Sequence, residues 1–232
     1  MLTLTGLNVF HGSSQTLKDF CLSLQAGEVL CLLGRNGAGK TTALKSIMGL
    51  MRTQSGSITL EGRELTTLPA HQVAKCGIGY VPQGRRLFSE LTVRENLEIG
   101  LMTRATDRAV LEKTLDLFPR LRERMEQVSG TLSGGEQQML AIGRALCIDP
   151  SVILLDEPTE GLMPSMIATI RDVVLQLRNQ GKAILLVEQR VDAVLAIADR
   201  VCFVENGKVQ ATVDVATLRA EPSLLSRYVG VG

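Results

Sequence analysis

The chain has 232 residues, a formal net charge of +1, 3% aromatic residues and no tryptophan. So balanced a charge offers no field for nucleic acid, and so few aromatics argue against single-strand stacking platforms. No apolar run reaches the roughly 18 residues that suggest a membrane-spanning helix, and the Met1-Leu2-Thr3-Leu4-Thr5 start lacks the basic and long apolar segments of a secretory signal, so cytoplasmic residence is expected.

Residues 2–4 and 20–24 alternate like half-buried strands. Val29–Leu33 is a short, wholly apolar run and predicts a buried strand. Directly after it, Gly34-Arg35-Asn36-Gly37-Ala38-Gly39-Lys40-Thr41 fits G-x-x-x-x-G-K-[ST] without a mismatch. Leu44, Ile47, Met48 and Met51 then recur at helical spacing. Strand, glycine loop and helix is the order that phosphate binding needs. Glycines let backbone N–H groups turn inward around phosphate oxygens, and the helix N-terminus adds partial positive charge. Lys40 is placed to reach the β- and γ-phosphates, and the Thr41 hydroxyl to ligate Mg²⁺. The bland alternative, a chance glycine-rich turn, would not require the flanking strand and helix. Nucleotide binding is the expectation.

Residues 55–62 predict a strand between glycine turns, and residues 77–81 another. From 93 to 148 the pattern is helical, interrupted at Phe118-Pro119, and reads as a helical subdomain. Within it, Leu132-Ser133-Gly134-Gly135-Glu136-Gln137 opens a helix with Met139, Ile142 and Leu146 on one face. Ser133 and Glu136 have capping-box spacing. Two glycines in a first helical turn cost stability, so the bare N–H groups there suggest a phosphate contact.

Residues 152–155 predict a buried strand ending in Asp156-Glu157-Pro158. A carboxylate at the C-terminal end of such a strand lies where ligands bind in an open α/β sheet. Asp156 is placed for the Mg²⁺ shell, Glu157 can orient or deprotonate a water, and Pro158 stops the strand. Without the phosphate loop, an ordinary solvated Asp-Glu pair would be the better reading. Residues 167–177 predict a helix with Ile170, Val173, Val174 and Leu177 on one face. Ala183–Val187 predicts a buried strand, 201–209 a hairpin about Asn206-Gly207, and 216–228 the last helix. Cys21, Cys31, Cys76, Cys147 and Cys202 are scattered without a C-x-x-C pair and read as small buried hydrophobes in a reducing compartment. His11 and His71 are the only histidines, and neither lies near a cysteine pair that would suggest a metal site.

With these motifs in this order, the chain resembles the ATP-binding subunits of ABC transporters over about residues 4–228. The resemblance implies an α/β fold: a P-loop NTPase (RecA-like) core, an antiparallel β subdomain and an inserted helical signature subdomain. It implies one domain over residues 1–232, with its helical part near 93–148. Implied ligands are ATP and Mg²⁺, with Gly34, Asn36, Gly37, Ala38, Gly39, Lys40, Thr41 and Thr42 around the nucleotide. Gln83, in Tyr80-Val81-Pro82-Gln83-Gly84, resembles the family glutamine that reaches Mg²⁺ and the attacking water and links the site to the membrane partner. Ser133, Gly134, Gly135 and Glu136 resemble the signature, which contacts ATP held by the other subunit of a head-to-tail dimer. Asp156 and Glu157 resemble the magnesium aspartate and the catalytic glutamate.

Three positions depart from the common family pattern. The residue expected to stack on adenine is His11, preceded by Phe10; an exposed loop histidine is the rival reading. The usual D-loop aspartate is Met163, and the usual switch histidine is Gln189. Gln189 can donate a hydrogen bond to the γ-phosphate but cannot take up a proton, so the base role falls to Glu157. The Val187-Glu188-Gln189 and Gly161-Leu162-Met163-Pro164 stretches resemble the branched-chain amino acid importer ATPases, as does the Tyr228-Val229-Gly230 ending. The urea and short-chain amide importer ATPases are closely similar, and a non-transport ABC ATPase of DNA repair or translation stands behind both. Expected partners are a homologous or identical ATPase subunit, integral membrane permease subunits at the cytoplasmic face of the membrane and, indirectly, an extracytoplasmic solute-binding protein; nucleic acid is not among them. Arg85, Arg86 and Arg94 flank Gln83, where acidic or polar groups of the membrane subunit are expected to dock.

Overall fold

The computed structural model describes residues 1–229. Gly230, which closes the Tyr228-Val229-Gly230 ending, lies outside the described residues. The first half of the chain forms β1 (Leu2–His11), β2 (Ser14–Leu24), β3 (Val29–Leu33), α1 (Lys40–Ile47), β4 (Thr53–Leu60), β5 (Arg63–Glu64), α2 (Ala70–Lys75) and β6 (Ile78–Val81). Then come the helices α3 (Val93–Arg104), α4 (Arg108–Leu117), α5 (Pro119–Arg122) and α6 (Gly134–Leu146). The rest is β7 (Val152–Asp156), α7 (Pro164–Asn179), β8 (Ala183–Val187), α8 (Val191–Ile197), β9 (Arg200–Glu205), β10 (Lys208–Asp214), α9 (Val215–Ala220) and α10 (Ser223–Val229).

The strands make two sheets, ordered β2-β1-β4-β5 and β10-β9-β3-β8-β7-β6. The four-stranded sheet is antiparallel. In the six-stranded sheet β9, β3, β8, β7 and β6 run parallel, and β10 closes one edge antiparallel to β9. Every residue of β3, β7 and β8 is buried, as parallel strands covered on both faces require. Their side chains alternate between two cores. Cys31, Leu33, Ile153, Leu155, Ile184 and Leu186 face the helical side, while Leu30, Leu32, Leu154, Leu185 and Val187 pack with α1 and the antiparallel sheet.

In the helical part, α3 and α6 cross closely because Gly100 has no side chain. A Cβ there would stand 2.7 Å from Cys147 Cβ and against the Arg144 carbonyl. Both helices start with complete capping boxes, Thr92–Glu95 and Ser133–Glu136.

Three expectations need correction. Met51 lies beyond α1, which ends at Ile47. Gly49, at φ 67°, turns the chain left-handed, and Leu50 N–H bonds back to the Lys45 carbonyl, the geometry of a Schellman stop. The helix expected over 216–228 is two helices, because Pro222 bars a helical conformation at Glu221. Finally, only Cys31, Cys147 and Cys202 are buried; Cys21 is exposed and Cys76 half-buried.

Candidate functional site

Four parallel strands end side by side, and each carries a segment singled out by sequence. β3 runs into the glycine loop, β8 into Glu188-Gln189, β7 into Asp156-Glu157, and β6 into Pro82-Gln83. Asn36, Gly37, Ala38, Gly39, Lys40, Thr41, Thr42, Gln83, Glu157 and Gln189, with Thr16 and Glu160, line one cavity of about 460 Å³. It lies at the carboxyl ends of the strands, where open α/β sheets bind ligands.

The glycine loop is built for close approach. Gly39 caps α1 at φ 109° with no side-chain hydrogen bond, and no acidic residue stands in the first turn. The first N–H groups of α1 therefore face the cavity without an internal partner, a ready anion site. A Cβ on Gly37 would meet nothing within 4 Å, so the loop leaves open space over its backbone. Lys40 Nζ donates to the Gly34 and Arg35 carbonyls at 2.7 and 3.1 Å. Burial pulls the Lys40 pKa down, while the charges of Glu157 and Asp156 oppose that shift.

Thr41 Oγ1 donates to Asp156 Oδ1 at 3.0 Å, and the Tyr80 hydroxyl reaches Asp156 Oδ2 at 3.5 Å. Burial raises the Asp156 pKa, opposed by the Thr41 hydrogen bond. Burial likewise pushes the Tyr80 phenol up, with the Asp156 charge adding to it. Among the described residues no cluster of three or more His, Cys, Asp or Glu forms a metal cage. A hydroxyl and one buried carboxylate, both hard oxygens beside a phosphate cradle, suit Mg²⁺, which takes most of its ligands from phosphate and water.

Glu157 stands at φ 50°, a left-handed conformation that costs a residue with a Cβ about 1–2 kcal/mol. That turn sends its carboxylate into the cavity rather than along the strand. Gln189 Nε2 donates to Glu157 Oε1 at 2.6 Å, and Gln83 Nε2 donates to Glu157 Oε2 at 3.3 Å and to Glu160 Oε2 at 2.9 Å. The two glutamines thus hold one carboxylate from either side. Glu160 joins this cluster, although the Asp-Glu-Pro motif gave no signal for it.

The structure does not bring every expected residue to this cavity. His11 is exposed at the end of β1, paired across the hairpin with Ser14, and neither it nor Phe10 lines the cavity. Ser133, Gly134, Gly135 and Glu136 also lie outside its lining. Ser133 Oγ donates to Glu136 Oε2 at 2.7 Å, and Glu136 Oε1 pairs with Arg124 Nε at 2.8 Å. The Ser133 hydrogen bond holds the Glu136 pKa low. The two glycines also have a packing reason: a Cβ on Gly135 would lie 2.6 Å from Met166 Cε, and one on Gly134 3.0 Å from the Arg85 guanidinium. Met163 is exposed and precedes α7 as its N-cap residue, without a side-chain hydrogen bond. Arg94 is committed to Glu126, at 2.5 Å.

Residues 17–160 match the ABC transporter family. The high-affinity branched-chain amino acid transport ATP-binding protein BraG of Pseudomonas aeruginosa is 45% identical over 99% of this chain and 100% of its own length. The probable branched-chain amino acid transport ATP-binding protein LivF of Archaeoglobus fulgidus is 42% identical over 90% of each chain. Among solved structures, a dimeric ATP-binding cassette in a post-hydrolysis state, bound to ADP and Pi, superimposes with a TM-score of 0.82 at 25% identity, covering 93% of this chain and 99% of that one.

Proposed function

The chain belongs to the ABC transporter family of ATP-binding subunits, and from that premise we propose that it hydrolyses ATP to energise the import of branched-chain amino acids. End-to-end likeness to BraG is the observation that supports this solute class. The chain works as one ATP-binding domain, residues 1–232, with residues 93–148 as its helical part. It acts in a head-to-tail dimer with an identical or homologous ATPase. The dimer sits at the cytoplasmic face of the membrane, beneath permease subunits fed by an extracytoplasmic solute-binding protein.

The residues divide the work as follows. Backbone N–H groups of Gly37 to Thr41 and the Lys40 ammonium bind the β- and γ-phosphates. Mg²⁺, held by Thr41 and Asp156 with Gln83 beside them, would neutralise phosphate charge. Glu157 orients the attacking water and accepts its proton. Ser133 and the N–H groups of Gly134 and Gly135 bind the nucleotide of the partner protomer, and Glu136 holds Ser133 in place. Arg86, exposed near Gln83, faces the permease, whereas the Arg85 guanidinium lies against Gly134 and Gln137.

Reconstitution tests the whole reading. With cognate permease subunits and binding protein in vesicles, ATP is expected to drive leucine uptake. Urea or amide uptake instead would move the chain to that importer group. Co-purification with nucleic acid or ribosomes, and with no membrane subunit, would remove the transport reading.

Gln189 offers a finer test. Its amide lies in the cavity and bonds Glu157, so Gln189→Ala is expected to lower turnover more than ATP affinity, by about 1.5–3 kcal/mol, the worth of one hydrogen bond to a charged group. Gln189→His should keep part of the activity, because imidazole can donate the same bond. Steady-state kinetics decide; parent turnover in Gln189→Ala would leave the residue a structural role only.

A further inference from the structure

Glu188 is a buried carboxylate with no part in the scheme above. It follows β8 directly and is 4% exposed. Among the described residues its carboxylate is hydrogen-bonded by a hydroxyl and a backbone N–H, with the Arg190 charge nearby. Burial raises its pKa, and the nearby Glu157 charge adds to that. A buried carboxylate is costly unless its oxygens are satisfied, so its hydrogen bonds indicate what it does. Oε1 accepts from Thr159 Oγ1 at 2.5 Å, and Oε2 accepts from the Gln189 N–H at 3.3 Å.

Those two bonds join two segments. Thr159 lies two residues beyond Glu157, on the left-handed turn that leaves β7. Gln189 is the residue whose amide grips Glu157 Oε1 at 2.6 Å. Thr159, Glu188, Gln189 and Glu157 therefore close a ring that spans the ends of β7 and β8. We propose that Glu188, anchored by Thr159, is a positioning residue that sets the Gln189 backbone so that its amide holds Glu157 in the orientation for water attack. This rests on the reading of Glu157 as the base.

The chemistry favours a carboxylate. Both partners are donors, and only an ionised carboxylate offers two acceptor oxygens with no donor of its own. An amide at this position would keep only weaker, neutral bonds, its oxygen to the Gln189 N–H and its N–H₂ to the Thr159 oxygen.

The test uses the full chain with Mg-ATP, measuring kcat, KM, thermal midpoint and affinity for a fluorescent ATP analogue. Glu188→Gln and Thr159→Val are each expected to lower kcat roughly tenfold, the scale of one hydrogen bond to a charged group, with analogue affinity within about twofold of the parent. Thr159→Ser, which keeps the hydroxyl, should restore kcat. Glu188→Gln added to Gln189→Ala should cost little beyond Gln189→Ala alone, because the two act through one contact. Parent kcat in Thr159→Val, or losses from Glu188→Gln and Gln189→Ala that multiply, would overturn the proposal. A lowered thermal midpoint with unchanged kcat would reduce Glu188 to a structural tie. Failure of the base reading shows separately, as full turnover by Glu157→Gln.

Discussion

Replacing Glu157 by glutamine is expected to lower ATP turnover by about 10²–10⁴-fold, the range that a positioned general base contributes, while leaving ATP binding intact. The amide has nearly the shape of the carboxylate but cannot accept the proton of the attacking water. It also disturbs both grips on the side chain. Gln83 and Gln189 each donate an amide N–H to Glu157, and a glutamine there meets one of these donors with its own unless that amide turns over. The phosphate loop, Lys40, Thr41 and Asp156 are untouched, so on the proposed reading nucleotide is expected to assemble the dimer and the missing hydrolysis to keep it assembled. Light scattering with ATP should show a persistent dimer in the variant. A monomeric, fully active Glu157→Gln would assign the base elsewhere, with Glu160, which shares the Gln83 amide, as the next carboxylate to test.

Lys40→Ala is expected to produce the largest loss of binding. Lys40 Nζ sits on the Gly34 and Arg35 carbonyls at the floor of the loop, already desolvated, so its charge acts on phosphate with little screening from water. Each hydrogen bond lost between a charged group and phosphate is worth about 1.5–3 kcal/mol; losing even one weakens Mg-ATP by about tenfold or more. Ser133→Ala should behave differently. Ser133 lies outside the cavity that Lys40 lines, so the isolated monomer should bind a fluorescent ATP analogue as the parent does, and the defect should appear in ATP-driven dimerisation. Equal loss of monomer affinity in both variants would contradict a nucleotide site shared between protomers.

Much of this was legible in local pattern. The glycine loop, the Asp156-Glu157 strand end and the Ser133–Glu136 capping box are each contiguous, and each depends on backbone geometry that short stretches dictate. The hairpin about Asn206-Gly207 and the break at Phe118-Pro119 are equally local. The two misjudged helix ends share a cause. Met51 continued an apolar period past a left-handed glycine, and residues 216–228 read as one helix across Pro222. In both places, backbone conformation outweighed hydrophobic spacing. The short α2 and α8 (six and seven residues) carry too few turns for periodicity to register.

By itself, the sequence determined which family the chain belongs to and which segments carry its nucleotide-binding motifs, because those motifs are runs of neighbours whose spacing is their mechanism. Tertiary structure alone decided how distant segments converge. β8 inserts between β3 and β7, against chain order, and this puts Gln189 beside Glu157 and Glu188 against Thr159. The Gln83 amide shared with Glu160 follows from the pairing of β6 with β7, and the Thr159–Glu188 tie follows from the β8 insertion. No local rule announces it, since strand order is set by which apolar faces bury best across the whole sheet.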